Sequence, residues 1–218
     1  MPKQFDLIVW DWDGTLADST RMITNAILKA AEQVGLPALT PQAASNIIGL
    51  GLRESIEALY GNIPANHAQA LATQYTANYY AGESEIPLFA GAADTIMALH
   101  KRGFKLAVAT GKGRRGLNLA LEHCGLAKHF HATRTVDECF SKPHPQMLDE
   151  LMDHLVVLPE RTLMIGDTSY DLHMAQNAGV SAVGVTYGAQ SSDQWQHLNP
   201  IQQFNNFSSL SQWLIENA

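Results

Sequence analysis

Cysteine is scarce in this chain, and positive charge is outweighed. The two cysteines among 218 residues, Cys124 and Cys139, form neither a CxxC pair nor a zinc pattern. A disulfide framework is thereby excluded, and two reduced thiols are expected. Lys and Arg number 14 against 21 Asp and Glu, a formal net charge of −7. With no basic stripe to hold a phosphate backbone, nucleic acid is not an expected partner. Long apolar runs are missing too. The stretch from Phe5 to Trp10 is too short for a signal peptide or a membrane helix, and it runs into Asp11 and Asp13. No membrane association and a cytoplasmic location are therefore expected. The nine histidines form no HExxH pair, so a zinc hydrolase of that type has no support. What is present is a chain with 46% hydrophobic and 16% charged residues, enough apolar side chains for a real core. Its length corresponds to about one and a half domains at roughly 150 residues each.

Two kinds of segment alternate along it. Short, nearly continuous apolar runs occur at Leu7-Ile8-Val9-Trp10, Leu106-Ala107-Val108-Ala109, Leu163-Met164-Ile165 and Ala182-Val183-Gly184-Val185. Runs of this kind are strands buried on both faces of a parallel sheet. Between them, apolar residues recur at helical spacing: Leu117, Ala120, Leu121 and Cys124 before Gly125, and Leu148, Leu151, Met152 and Leu155 before Pro159. The alternation predicts an α/β fold, a doubly wound parallel sheet of Rossmann-like type.

One stretch breaks the alternation. From 19 to 85 the pattern is helical throughout, with Ile23, Ile27, Ala30 and Val34 ending at Gly35, and Thr40-Pro41 placing an N-cap before a first-turn proline. Leu52, Ile56 and Leu59 end at Gly61, and Leu71, Ala72, Tyr75 and Tyr79 end at Gly82. An inserted all-helical cap over residues 19–85 is expected, leaving 1–18 and 86–218 as the α/β core. The Gln-, Asn- and Ser-rich stretch from Gln190 to Asn206 predicts a loop-rich end.

The polar residues after the strands are the informative ones, because open α/β sheets bind ligands beyond the carboxyl ends of their strands. Asp11 and Asp13 follow the first run, Thr110-Gly111-Lys112 the second, and Gly166-Asp167 with Asp171 the third. Lys142 stands just before a predicted helix. If the first strand persists, side chains two apart share a face, so Asp11 and Asp13 lie together. Solvated loop aspartates are the simpler alternative for that pair alone. Four carboxylates gathered from two strand ends, however, repel unless a hard cation such as Mg²⁺ joins them. Asp171 also suits a helix N-terminus by itself. Gly14 permits a tight turn that lets backbone N–H groups converge on an anion, and Thr110 with Gly111 suits a phosphate oxygen. Lys142 makes better sense facing an anion than at a helix start, although a solvated lysine is the plain alternative.

With these segments in this order the sequence resembles the haloacid dehalogenase-like hydrolases, and more narrowly their phosphoglycolate phosphatase-like group. The carrying motifs run from Asp11 to Ser19, from Ala109 to Lys112, from Lys142 to Pro145, and over Gly166-Asp167 with Asp171. The segment 135–141 lacks the glycine pattern often found before the third motif. The resemblance implies a Mg²⁺-dependent phosphatase acting on a small phosphate monoester through an aspartyl-phosphate. It implies Asp11 as nucleophile, and Asp13 as the acid that protonates the leaving alkoxide and then the base that deprotonates water. The metal would be held by Asp11, Asp167 and the backbone carbonyl of Asp13, with Asp171 either a direct ligand or a support behind the ligands. Thr110, Gly111 and Lys142 would hold the phosphoryl group. Having Asp13 at all argues for a phosphatase over a dehalogenase. A sugar-phosphate mutase or a pyrophosphatase shares these motifs, and a phosphoacceptor signalling module is the non-enzymatic alternative. Substrate choice falls to the cap, where Gly49-Leu50-Gly51-Leu52-Arg53 is the candidate contact loop and Arg53 could pair with a substrate carboxylate; an interhelical turn with a surface arginine is the plainer alternative. A small phosphorylated metabolite is the expected partner, and a monomer the expected state.

Overall fold

A computed structural model of the chain describes residues 4–82 and 86–218. The expected boundary at 85/86 falls outside the described residues. Six parallel strands form one sheet: β1 (Leu7–Trp10), β2 (Lys105–Thr110), β3 (Ala132–Thr135), β4 (Thr162–Gly166), β5 (Ser181–Val185) and β6 (Gln202–Phe204). Their spatial order is β3-β2-β1-β4-β5-β6, the doubly wound arrangement that the apolar runs predict. β1 is central because its whole length is apolar and can be buried on both sides. Ile8 and Trp10 join Leu106, Val108, Leu163 and Ile165 on one face. Leu7 and Val9 join Ala107, Ala109 and Met164 on the other.

Helices cover both faces. α5 (Ala92–Lys101), α6 (Arg114–His123), α7 (Gln146–Leu155), α8 (Ser169–Asn177) and α9 (Phe207–Asn217) belong to the sheet layer. Before them, α1 (Thr20–Gln33), α2 (Pro41–Asn46), α3 (Leu52–Tyr60) and α4 (Ala65–Gly82) follow β1 with no intervening strand. These four have an apolar cluster of their own, in which Ile27, Ala30 and Ala31 of α1 meet Ala44, Ile56 and Leu71. The local signals do what the sequence requires of them. The Thr40 side chain accepts a hydrogen bond from the Ala43 N–H at 3.1 Å with Pro41 in the first turn, and Gly61 ends α3 with φ +66°.

The stretch 190–206 is loop-rich, as expected, with β6 its single strand, and it buries Trp195 completely against Gly184, where a Cβ would lie 2.5 Å from the indole ring. The central consequence of the topology lies at β1 and β4. The chain winds outward through β2 and β3, then returns to the other side of β1, so a crevice opens at their carboxyl ends.

Candidate active site

Asp11 is the first residue past β1, fixed by its N–H donating to the Ile165 carbonyl at 2.9 Å. Its carboxylate is buried. One oxygen accepts from Lys142 Nζ at 2.5 Å, while the other is buried without a hydrogen-bond partner. Lys142 is brought in by the loop that leads to α7, four residues before that helix begins, and its ammonium also donates to Asp171 at 2.5 Å. Opposite-charge contact outweighs desolvation there and holds the ammonium firmly protonated, with its pKa above the ordinary lysine value.

Asp167 follows β4, and Asp171 sits in the first turn of α8. Asp171 divides its oxygens between the ammonium of Lys142 and the helix end. Oδ1 takes Lys142, and Oδ2 accepts the Thr168 N–H at 3.1 Å and the Thr168 hydroxyl at 2.7 Å, closing the helix end. Asp167 accepts the Thr15 hydroxyl at 3.0 Å and the Ala189 N–H at 2.6 Å. Each of Asp11, Asp167 and Asp171 offers an oxygen within 4.8 Å of the others. Burial pushes Asp167 up from the ordinary 3.8 to about 7, with Asp171 adding to it. Asp11 is likewise raised, by burial first and by Asp171 and Asp167 after the partial offset from Lys142.

These residues suit a divalent cation. Among the described residues, three buried carboxylates face one buried ammonium, so full ionisation leaves two uncompensated negative charges. All the donors are hard oxygens, and the second Asp11 oxygen has nothing else to bind. Space around the cluster is kept by backbone without side chains. A Cβ on Gly14 would lie 2.3 Å from Asp167 Oδ2, and one on Gly188 2.2 Å from it.

Asp13 points elsewhere. Its carboxylate is outside the three-carboxylate cluster and accepts the Ser19 hydroxyl at 2.8 Å and Lys112 Nζ at 3.2 Å from both oxygens. Lys112 in turn donates to the Tyr79 hydroxyl and lies 4.4 Å from that ring's centre. The sequence offers Lys112 only as the residue after Gly111, and Tyr79 only as an apolar helix position. Thr15 and Ser19 are likewise readable as motif members but not as the donors that fix Asp167 and Asp13.

Asp11, Asp13, Thr110, Gly111 and Lys112 line a cavity of about 240 Å³. Asp11 is thus common to the buried cluster and the cavity. Gly49, Leu50 and Leu52 of the expected contact loop line it as well. Two expectations are corrected. Arg53 does not line the cavity; its side chain is 86% exposed and pairs with the neighbouring Glu54 at 2.7 Å, because the first turn of α3 carries it outward. Gly14 has the expected positive φ, +87°, but its N–H is spent on the Ala17 carbonyl at 2.8 Å, so it shapes the turn and makes room for Asp167 rather than donating to an anion.

Residues 8–185 match the family model described as haloacid dehalogenase-like hydrolase. The chain belongs to that family. Among curated relatives of this hydrolase is the phosphoglycolate phosphatase of Vibrio vulnificus, 31% identical over 85% of this chain and 86% of that protein. Another is the pyrophosphatase PpaX of Anoxybacillus flavithermus, 29% identical over 83% of each. A hydrolase from Pseudomonas syringae superposes with a TM-score of 0.89 at 22% identity, covering 98% of this chain and 99% of its own; that likeness speaks for the fold alone. The family expected from the motifs is therefore the family found, and the two curated relatives just given are a phosphatase and a pyrophosphatase by name. No helix among the described residues is long and apolar enough to cross a membrane.

Proposed function

We propose that this hydrolase is a Mg²⁺-dependent phosphatase that cleaves a small phosphate monoester through a phosphorylated Asp11. The observation that carries the reading is Asp11 itself: a buried carboxylate with one oxygen on Lys142 and the other unpartnered, belonging to both an acidic cluster and the lining of a cavity. Asp11, Asp167 and Asp171 would hold the metal, with the backbone carbonyl of Asp13. When bound, Mg²⁺ would neutralise the carboxylates and polarise a phosphoryl oxygen.

The chain's own residues account for the rest. An Asp11 oxygen attacks phosphorus in line with the ester oxygen, the P–O bond to the alcohol breaks, and the departing oxygen takes a proton from Asp13. Asp13 then takes a proton from water, whose oxygen attacks the aspartyl-phosphate, releasing phosphate and restoring the Asp11 carboxylate. Lys142 keeps positive charge beside the attacking group, and Thr110 and Gly111 at the end of β2 would face a non-bridging oxygen. Helices α1–α4 act as the cap. The end of α2 and the α2–α3 connection reach the core through the Ser45 hydroxyl donating to the Ala189 carbonyl at 2.9 Å, the Tyr170 hydroxyl donating to the Asn46 carbonyl at 3.1 Å, and the Gly51 N–H donating to Ser141 Oγ at 2.9 Å. Such closure excludes bulk water from the reacting centre.

The test is phosphate release from a chromogenic phosphate ester with Mg²⁺ and with a chelator. Sustained Mg²⁺-dependent turnover is expected. No release, or one equivalent of phosphorylation without turnover, would replace the phosphatase by a phosphoacceptor module.

A further inference from the structure

The cavity that meets Asp11 says what kind of alcohol leaves. Away from the carboxylates its walls are Ile23, Ile27, Ile47, Ile48, Leu52 and Tyr75, contributed by the helical cap and its connections. Two of the hydroxyls in those walls are taken up by backbone: Thr76 donates to the Ala72 carbonyl at 2.7 Å and Ser55 to that of Ile47 at 3.4 Å. Lys112 is the one cationic side chain lining the cavity among the described residues, and both oxygens of Asp13 together with the Tyr79 hydroxyl occupy it. Besides Asp11 and Asp13, the remaining charged group on the wall is Asp137, whose carboxylate accepts the Arg114 N–H at 2.5 Å. A leaving group carrying a carboxylate or phosphate would meet three acids and greasy walls, with no uncommitted cation. Burying such an anion unpaired is strongly unfavourable, whereas apolar surface gains from the same walls.

We propose that the physiological ester carries an uncharged, mainly apolar alcohol about the size of one ring, rather than a glycolate or a second phosphate. The proposal rests on the phosphatase reading and narrows its substrate class. Size agrees with polarity. An apolar cavity of about 150 Å³ accommodates benzene, so about 240 Å³ holds one such ring with the phosphoryl group at the Asp11 end. Hydrolysis breaks only the P–O ester bond and gives R–OH and phosphate, so the cavity selects R. A reaction that consumes or prepares this compound must accordingly handle a free apolar alcohol.

The wild-type chain with Mg²⁺ tests this on benzyl phosphate, ethyl phosphate, 2-phosphoglycolate and pyrophosphate. Benzyl and ethyl phosphate both release a primary alkoxide, so their comparison isolates the ring. The expected kcat/KM for benzyl phosphate exceeds that for ethyl phosphate by about tenfold or more, and exceeds those for both anionic substrates by a wider margin. Calorimetry with the non-hydrolysable benzylphosphonate and phosphonoacetate should give the same order, with benzylphosphonate about tenfold tighter. Phosphoglycolate or pyrophosphate equalling benzyl phosphate, or phosphonoacetate binding more tightly, would overturn the substrate class while leaving the phosphatase standing. Phosphate release from none of the four would overturn both.

Discussion

Acidification should loosen Mg²⁺ by an amount set by the cluster itself. Burial and Asp171 hold Asp167 at about 7 in the metal-free protein, against 3.8 ordinarily. A cation must displace that proton, so below pH 7 the slope of the apparent Kd should approach about tenfold per pH unit, or about fifteenfold between pH 7 and 5.5, with further weakening from Asp11. The same shift makes a statement about folding. Between pH 4 and 7 the native state binds a proton on Asp167 that the unfolded chain has released, so metal-free stability falls as pH rises through that window. Acting alone, the shift is worth on the order of 4 kcal/mol. Bound Mg²⁺ offsets the loss, so the gain in Tm on adding Mg²⁺ should be larger at pH 8 than at pH 5.5. Calorimetric titration across pH 5.5–8, with urea unfolding of the metal-free wild type and Asp167→Asn, reads both quantities. An apparent Kd that stays flat with pH, together with identical pH dependence of stability in the two proteins, would refute the reasoning.

Three substitutions probe separate parts of the site. Lys142→Met leaves Asp11, Asp167 and Asp171 without their ammonium and should cost the metal-free protein about 3–5 kcal/mol in urea unfolding, partly recovered by Mg²⁺. Gly14→Ala adds a methyl 2.3 Å from Asp167 Oδ2 at a φ of +87°, and isothermal titration should show Mg²⁺ bound about tenfold or more weakly. In Gly111→Ala the new methyl lies 2.5 Å from the Gly49 carbonyl oxygen and 2.7 Å from that of Leu50, so the cap loop must retreat. That variant should raise KM while Mg²⁺ affinity stays unchanged, as steady-state kinetics and calorimetry would show.

What the sequence made legible follows physical lines. β1, β2, β4 and β5 are apolar enough to stand out because both faces of the sheet are covered there. β3 (Ala132–Thr135) and β6 (Gln202–Phe204) lie at the two edges of the sheet, where polar residues such as Arg134 and Gln203 are tolerated, and no apolar run betrays them. Asp11, Asp167, Asp171 and Lys142 could be read because strand ends converge by topology. The partners of Asp13 could not, since Lys112 reaches it from β2's far end and Tyr79 joins from α4, a contact that depends on how the helices close over the sheet. The choice between the two readings of Arg53 was illegible for a related reason: its loop meets the cavity through Gly49, Leu50 and Leu52, and one turn of helix decides which side chains face inward.

The role of Asp11 is tested most directly in Asp13→Asn. A chromogenic ester has a leaving group that needs no proton, so this variant should still be phosphorylated but should lack the base that hydrolyses the adduct. Mixing it with excess ester and Mg²⁺ should release about one equivalent of chromophore per chain in a burst. Borohydride reduction and mass spectrometry should then locate the phosphoryl group as homoserine in place of Asp11. An adduct on any other residue, or undiminished turnover with no adduct at all, would contradict the role assigned to Asp11.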